Sequence, residues 1–244
     1  GYFIMKVRLD ILLNSRDLTE TRSQAENLIR LGRVLVDGNK ITKPGSFVDD
    51  KSKINILGNE RYVSRAGLKL ASVSSALNIN FMEATVLDVG SSTGGFSDYA
   101  IQHGAKKVYA VDVGTNQLHP NLRQNPKIEL HEKTDIRNFK LNNKPDLVVI
   151  DVSFISLRDI LPYIKKELCD NNTTIVAMVK PQFEAGKNGT VRGIVKNNSV
   201  RRQIMKDFEQ WCIMNKLFIQ SKRDSEVKGA KGNQERFYKL KVAR

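Results

Sequence analysis

The chain has 244 residues, 40% of them hydrophobic, enough for one large domain or two modest ones with separate cores. No apolar run approaches the roughly 18 residues of a membrane-spanning helix, so the composition excludes stable helical membrane insertion and reads as soluble and globular. The formal charge of +14 is uneven: +4 over residues 1–65, zero over 66–179 and +10 over 180–244, a distribution suited to gripping a polyanion at both ends of an active face.

At the start, residues 2–5 are too short an apolar stretch for a secretory signal, and Lys6 and Arg8 follow at once. Met5 reads as the biological start and residues 1–4 as an upstream remnant. Residues 5–60 form a small module. A first short helix spans 8–14 with Leu9, Leu12 and Leu13 on one face, and a second, capped by Thr19 or Thr21, spans 23–31 and ends at Gly32. Residues 34–36 and Ile41 flank a tight turn at 37–40, where Gly38 and Asn39 tolerate positive φ, and a strand at 53–57 closes the unit. The order Arg-Leu-Asp, Thr-Arg-Ser, Leu-Ile-x-x-Gly-Arg-Val-x-Val-Asp-Gly resembles the RNA-binding domain named after small-subunit ribosomal protein S-four. That resemblance implies a small α+β domain in which Arg8, Arg22, Ser23, Arg30 and Arg33 face an RNA backbone.

Residues 61–66 read as a linker into a second domain, 61–244. A helix from 65 to 76 places Arg65 and Lys69 on one face, either as an ordinary exposed basic face or beside an anion, a phosphate or the carboxylate of a catalytic group, since two adjacent cations are otherwise mildly unfavourable. Residues 85–89 are an apolar strand that breaks at Gly90, and Gly94 and Gly95 open a helix over 96–103. Strand, glycine turn and helix N-terminus together bring backbone N–H groups close to a ligand. A second strand, 107–113, carries Asp112 about 20 residues downstream, where a carboxylate can accept both hydroxyls of a ribose. A third strand spans 127–133, and Asp135 beyond it can accept from an adenine amine. The Asp-x-Gly-x-x-x-Gly-Gly form with its downstream acid resembles the S-adenosyl-L-methionine site of Rossmann-like methyltransferases. The resemblance implies that Asp88, Gly90, Ser91, Ser92, Thr93, Gly94, Gly95, Phe96, Asp112, Val113, Asp135 and Ile136 hold that cofactor.

Residues 146–152 read as a buried parallel strand ending in Asp151, residues 155–168 as a helix interrupted by Pro162, and 174–179 as a strand ending in Lys180. Alternating strands and helices call for an α/β, doubly wound, mostly parallel sheet with its ligands outside the carboxyl ends of the strands. Residues 182–197 lack periodicity and read as a mobile lid or substrate loop, and 200–215 as an amphipathic helix with Trp211 in the core. Residues 217–220 and 236–242 form an antiparallel pair joined by a basic turn that delivers Glu235. Cys169 and Cys212 stand far apart without metal-ligand spacing, as neutral thiols in a reducing cytoplasm, and no metal is implied.

Lys69, Asp151, Lys180 and Glu235 reproduce in order the Lys-Asp-Lys-Glu set of the FtsJ-like 2′-O-methyltransferases. With the N-terminal module and the segments Asp-Val-Ser-Phe-Ile-Ser-Leu (151–157) and Val-Lys-Pro-Gln-Phe-Glu (179–184), the chain resembles the haemolysin-labelled TlyA family. The resemblance implies a Rossmann-like class I methyltransferase domain acting on ribosomal RNA or ribosomal subunits, by cytidine 2′-O-methylation. The short stretch before Arg8 implies, within that family, the large-subunit RNA as substrate. A ribose hydroxyl must lose its proton as it attacks a methyl group, and a lysine amine flanked by carboxylates can take or steer that proton. Lys180 is given this role, Asp151 and Glu235 hold it, and Lys69 steers ribose or phosphate. After strand 146–152 the chain lacks the Pro-Pro-aromatic sequence of exocyclic-amine methyltransferases, which favours a hydroxyl target. Two other readings remain, a non-catalytic RNA-binding assembly factor and a membrane-active haemolysin. The intact set of four weighs against the first, and the lack of a spanning segment against the second.

Overall fold

Residues 5–57, 61–186, 189–195 and 197–242 are described by the computed structural model. The expected upstream remnant, residues 1–4, and part of the expected 182–197 loop lie outside them. The chain divides into two units, Gly1–Ser64 and Arg65–Arg244, each with its own hydrophobic cluster.

In the first unit, strand β1 (Lys6–Arg8) leads into helix α1 (Leu9–Ser15), and α2 (Arg22–Arg30) follows. The apolar faces of the two helices, Leu9, Leu12, Leu13, Ala25, Leu28 and Ile29, meet Val34, Val36 and Val48 in one cluster. Thr21 caps α2, its Oγ1 accepting from the Gln24 N–H at 3.1 Å. Strands β2 (Val34–Val36), β3 (Asn39–Lys40), β4 (Phe47–Asp49) and β5 (Ile54–Ile56) form two small antiparallel sheets, β3-β2-β5 and β1-β4. The β2–β3 turn holds its positive φ angles at Asp37 and Gly38, one residue earlier than expected. Both central residues of this two-residue turn are thus left-handed, as the twist of a tight hairpin demands.

The second unit begins with α3 (Arg65–Ser74), followed by β6 (Thr85–Val89), α4 (Gly95–Gln102), β7 (Lys107–Val111), α5 (Pro120–Arg123), β8 (Ile128–His131), β9 (Leu147–Ile150) and α6 (Leu157–Tyr163). It continues with β10 (Thr174–Val179), α7 (Pro181–Glu184), β11 (Thr190–Val191), β12 (Ile194–Val195), α8 (Asn198–Met214), β13 (Leu217–Asp224) and β14 (Arg236–Val242). Seven strands form one sheet in the order β13-β14-β10-β9-β6-β7-β8. Strands β6 to β10 run parallel, and β14 alone in the sheet is reversed, pairing antiparallel with both β10 and β13. The chain leaves β6 for β7 on one side and returns to β9 on the other. The carboxyl end of β6 is therefore the point where the winding changes direction, and a crevice opens there.

Val148, Ile150, Ile175, Ala177 and Val179 face helices whose apolar residues, Leu157, Ile160, Leu161, Met205, Phe208 and Cys212, close one face of this sheet. Trp211 packs against that cluster and stacks on Phe208, as a core residue. Pro162 lies inside α6, and the chain continues past Tyr163 as a wider π turn, Ile164–Leu168, rather than stopping. Part of the expected mobile loop is ordered as α7 and the β11–β12 hairpin, and Asn233 fastens that hairpin by accepting from Val195 N–H (3.1 Å) and donating to the Gly193 carbonyl (2.9 Å). Both cysteines are free and buried, and burial pushes each thiol up to about 12, so they are inert core groups.

Candidate functional site

The crevice beyond β6, β7 and β9 is a cleft of about 380 Å³ whose walls include Val89, Gly90, Ser92, Asp112, Val113, Asp135, Ile136 and residues 151–155. Gly90 makes it possible. Its φ is +79°, and a Cβ there would overlap the backbone oxygen of Asp151, so the strand can turn against its neighbour only without a side chain. Asp112, one residue past β7, is fixed by two backbone donors, Ser92 N–H to Oδ2 at 2.8 Å and Gly114 N–H to Oδ1 at 2.7 Å. It shares the cleft wall with the apolar Val152 and Ile155. A carboxylate on one side and an apolar slot beside it match a nucleoside, whose ribose hydroxyls need an acceptor and whose base needs apolar cover.

The remaining expected cofactor residues divide. Ser91 is buried behind the turn and does not line the cleft, and its hydroxyl carries no hydrogen bond. Thr93 is exposed, and its carbonyl accepts from the His119 N–H. Gly94, at φ +100°, permits the close approach of Leu118 and Leu122, and Gly95 starts α4. Phe96 is buried against Phe237. Asp88 is fully buried and accepts from Ser97 Oγ at 2.6 Å, so it braces the first turn of α4 from behind the cleft wall. Burial pushes its carboxyl up to about 7. Asp135 caps the 3₁₀ turn Ile136–Asn138, and Arg137 occupies both its oxygens, at 3.0 and 2.7 Å. The Arg137 guanidinium holds the Asp135 carboxyl below its usual range. A base amine reaching that carboxylate therefore has to compete with Arg137.

Beside the cleft, the sheet register gathers the four expected catalytic residues. Val179 pairs with Arg236 across β10 and β14, so the next residue of one strand, Lys180, and the preceding residue of the other, Glu235, emerge at the same edge. Asp151 leaves β9 on the other side of β10. Lys180 Nζ lies 2.6 Å from Asp151 Oδ1 and donates to Ser153 Oγ at 2.9 Å. Lys69, from α3, meets Glu235 Oε2 at 2.8 Å, with 11% and 1% of the two side chains exposed. Gly229 closes the turn over Glu235, because a Cβ there would overlap the carboxylate. Arg65, expected beside an RNA phosphate, instead donates to the carbonyl of Lys228 and ties α3 to this turn. The structure thus pairs Lys180 with Asp151 and Lys69 with Glu235, rather than placing both carboxylates on Lys180. Ion pairs held largely out of water cost desolvation and are weak stabilisers, so a buried and a half-buried one at one edge of a sheet point to chemistry more than to stability.

In the first unit, Asp10 is fully buried and accepts from Arg8 Nε (3.0 Å) and from an Arg8 terminal nitrogen (2.8 Å), and from Arg22 Nε (3.0 Å). The Arg8 hydrogen bonds, with those of Arg22, hold its carboxyl down to about 2. Arg22 is exposed and Arg8 half-buried, and Glu26 also meets Arg22, at 3.7 Å, so Arg8, Arg22 and Arg30 together outnumber the two carboxylates beside them by one. Arg30 pairs with Glu26 at 3.4 Å, Ser23 is exposed, and Arg33 donates to the Leu57 carbonyl at 3.2 Å.

Comparison with known proteins decides between the possible owners of such a site. Residues 62–241 match the family model described as FtsJ-like methyltransferase. The chain belongs to the FtsJ-like methyltransferase family. Ahead of that domain, residues 7–54 match the S4 domain. The FtsJ-like chain is 40% identical over 232 residues to hemolysin A of Brachyspira hyodysenteriae, covering 93% of this chain and 96% of that protein. It is 36% identical over 253 residues to the 23S rRNA (cytidine-2'-O)-methyltransferase TlyA of Campylobacter jejuni, covering 95% and 98%. A solved Streptococcus thermophilus structure that carries a hemolysin name superposes with a TM-score of 0.76 at 37% identity, covering 99% of this chain and 90% of that one. No helix among the described residues is long and apolar enough to cross a membrane, and no group of three or more His, Cys, Asp or Glu among them is placed to hold a metal ion.

Three residues with evident partners were left unassigned by the sequence, Asp10 in the S4 domain and Ser153 and Glu184 in the FtsJ-like domain. Asp10 was visible in the Arg-Leu-Asp motif, but nothing in spacing says that it is buried between two arginines. Ser153 and Glu184 lie in the two motifs that carry Asp151 and Lys180, and their partners become evident only when the loops meet.

Proposed function

We propose that the protein transfers the methyl group of S-adenosyl-L-methionine to a ribose 2′-hydroxyl, that of a cytidine in ribosomal RNA, in the cytoplasm. The observation that carries this reading is the pairing of Lys180 with Asp151 and of Lys69 with Glu235 at one edge of the sheet, next to a nucleoside-sized cleft. The cofactor, when bound, supplies a methyl group on a positively charged sulfur. Everything else is the work of the chain. Asp112 accepts from ribose hydroxyls, the turn at Gly90 and Ser92 offers polar groups to the rest of the ligand, and Val152 and Ile155 exclude water from beside it. Asp151 and Ser153 fix the direction of the Lys180 amine, which takes or steers the proton of the attacking hydroxyl. Glu235 fixes Lys69, whose charge orients the ribose or its phosphate. Orientation of this kind supplies about 7–11 kcal/mol in favourable cases, enough for a large share of the acceleration.

The RNA is held by the S4 domain, through the arginine pair on Asp10 and through Arg30. The relative named TlyA, a 23S rRNA (cytidine-2'-O)-methyltransferase, supports the choice of base and of ribosomal RNA. The test is incubation with methyl-labelled S-adenosyl-L-methionine and purified ribosomal subunits, with Lys180→Ala alongside. Label that survives alkali as an undigested dinucleotide, and falls by about 100-fold or more in the variant, is the expected result. Cofactor binding without label on either subunit would favour the assembly-factor reading, and leakage of anionic liposomes without RNA binding the haemolysin one.

A further inference from the structure

We propose that Glu184 is a positioning residue for this transfer: from behind Lys180 it pins the far end of the loop of residues 151–157, so that Ser153 meets the Lys180 amine and the loop keeps its place in the cleft wall. The inference rests on the reading of the site given above. Lys180 and Glu184 bracket one short helix, Lys180 as the residue before it and Glu184 as its last. Both reach the same loop, at opposite ends. Lys180 engages Asp151 and Ser153, at 2.6 and 2.9 Å. The Glu184 carboxylate accepts from Ser156 Oγ at 2.6 Å and from the Leu157 N–H at 2.8 Å.

Its side chain is 2% exposed, and its nearest cation, Arg158, stands at 3.9 Å. Burial pushes its carboxyl up, and the two hydrogen bonds oppose that shift. A carboxylate is a costly way to satisfy one hydroxyl and one N–H, since Ser156 already caps the helix by accepting from the Arg158 N–H at 3.1 Å. What the carboxylate adds is a link between the loop after β9 and the loop after β10. The stretch between the two anchors needs such a link. Phe154 holds a left-handed φ of +65°, unfavourable for an aromatic residue, and is 92% exposed; its ring meets Phe183 of α7 at 5.1 Å between centroids but is not buried there, so that contact adds little against the strain. Residues 152–155 nevertheless line the cleft.

The test compares Glu184→Ala with Glu184→Gln. Glutamine keeps the shape, its amide oxygen accepting from Leu157 and its amide nitrogen donating to Ser156 Oγ. In Glu184→Ala the affinity for S-adenosylhomocysteine, read by calorimetry, falls about tenfold, kcat falls about tenfold or more, and hydrogen exchange at the Leu157 amide speeds up. Glu184→Gln stays within about 1.5-fold of wild type in all three. The loss in kcat is not additive with that of Ser153→Ala, because both act through the Lys180 amine. A Glu184→Ala protein that melts lower but binds and turns over as wild type would overturn the proposal and leave a plain helix cap. If alanine prevents folding, Ser156→Ala, which spares the Leu157 bond, carries the same expectations at about threefold, and wild-type values in it would overturn the proposal equally. Calorimetry and exchange need no RNA. Wild-type protein that binds S-adenosylhomocysteine but labels no RNA would therefore defeat the substrate reading and still decide the role of Glu184.

Discussion

Asp88 is the clearest case of a carboxylate whose sequence position and physical environment point different ways. It stands in the glycine-turn motif, yet it is fully buried, with one oxygen on Ser97 and the other without a partner. Burial raises its carboxyl from the ordinary aspartate range to about 7. A group that holds its proton more tightly when folded contributes fully below its unfolded value and loses that contribution as pH rises through its folded one. Between about pH 5 and 7.5 the folded protein should lose about 2 kcal/mol from this residue alone. Urea unfolding at several pH values checks it: Asp88→Asn should flatten the slope relative to wild type, and parallel profiles would mean that Asp88 is already charged in the folded protein. Such a role leaves no mark in the sequence, because the same Asp would be written whether it faced the cofactor or its own helix. Lys69, Asp151, Lys180 and Glu235 were legible by contrast, since a family pattern fixes their order. Which lysine takes which carboxylate was not, because that depends on the register of β10 against β14.

At the scale of elements, legibility followed burial. The strands at β6, β9 and β10 are largely apolar runs buried on both faces, β7 is buried on one face and partly on the other, and their positions were read to within a residue or two. β1 and β4, three residues each, carry Lys6, Arg8 and Asp49 and show no alternation long enough to register, so their pairing was missed. β13 runs to Asp224, well past the expected end, because its outer half, Ser-Lys-Arg-Asp, is polar and exposed at the sheet edge, where β14 alone holds it. In the first unit the pairing of α1 with α2 depends on polar chemistry as well as on leucines. Asp10→Ala removes the carboxylate on which Arg8 and Arg22 converge and should destabilise that unit by about 2 kcal/mol in urea unfolding. It also raises the net charge by one. If charge alone governed RNA binding, affinity would rise. If the fixed placement of the two guanidinium groups matters, affinity falls about threefold to tenfold, which is the expected outcome and is read by filter binding at constant salt.

For the molecule as a whole, the charge map divides the labour. Residues 66–179, which hold most of the cofactor cleft, are neutral, whereas residues 1–65 and 180–244 carry net charges of +4 and +10. Within that neutral segment the cleft itself is lined by Asp112, Asp135 and Asp151 and by no Lys or Arg, which suits a ligand with a cationic centre, and basic segments suit a phosphate backbone. Each phosphate neutralised releases counterions, so log affinity for RNA should fall linearly with log salt, by about 0.7 to 0.9 per contact. If Arg8, Arg22, Arg30 and Arg33 each take one phosphate, the first unit alone contributes a slope of about −3. The second unit has its own core cluster and sheet, and so can be examined without the first. Removing residues 5–60 should leave S-adenosylhomocysteine affinity within about twofold, while the salt slope for RNA shrinks by about 3 units and the RNA affinity drops. An unchanged slope in the truncated protein would move the backbone contacts to the basic C-terminal segment. Equal loss of RNA and cofactor affinity would mean that residues 5–60 help to build the methyltransferase unit rather than adding an independent grip on RNA.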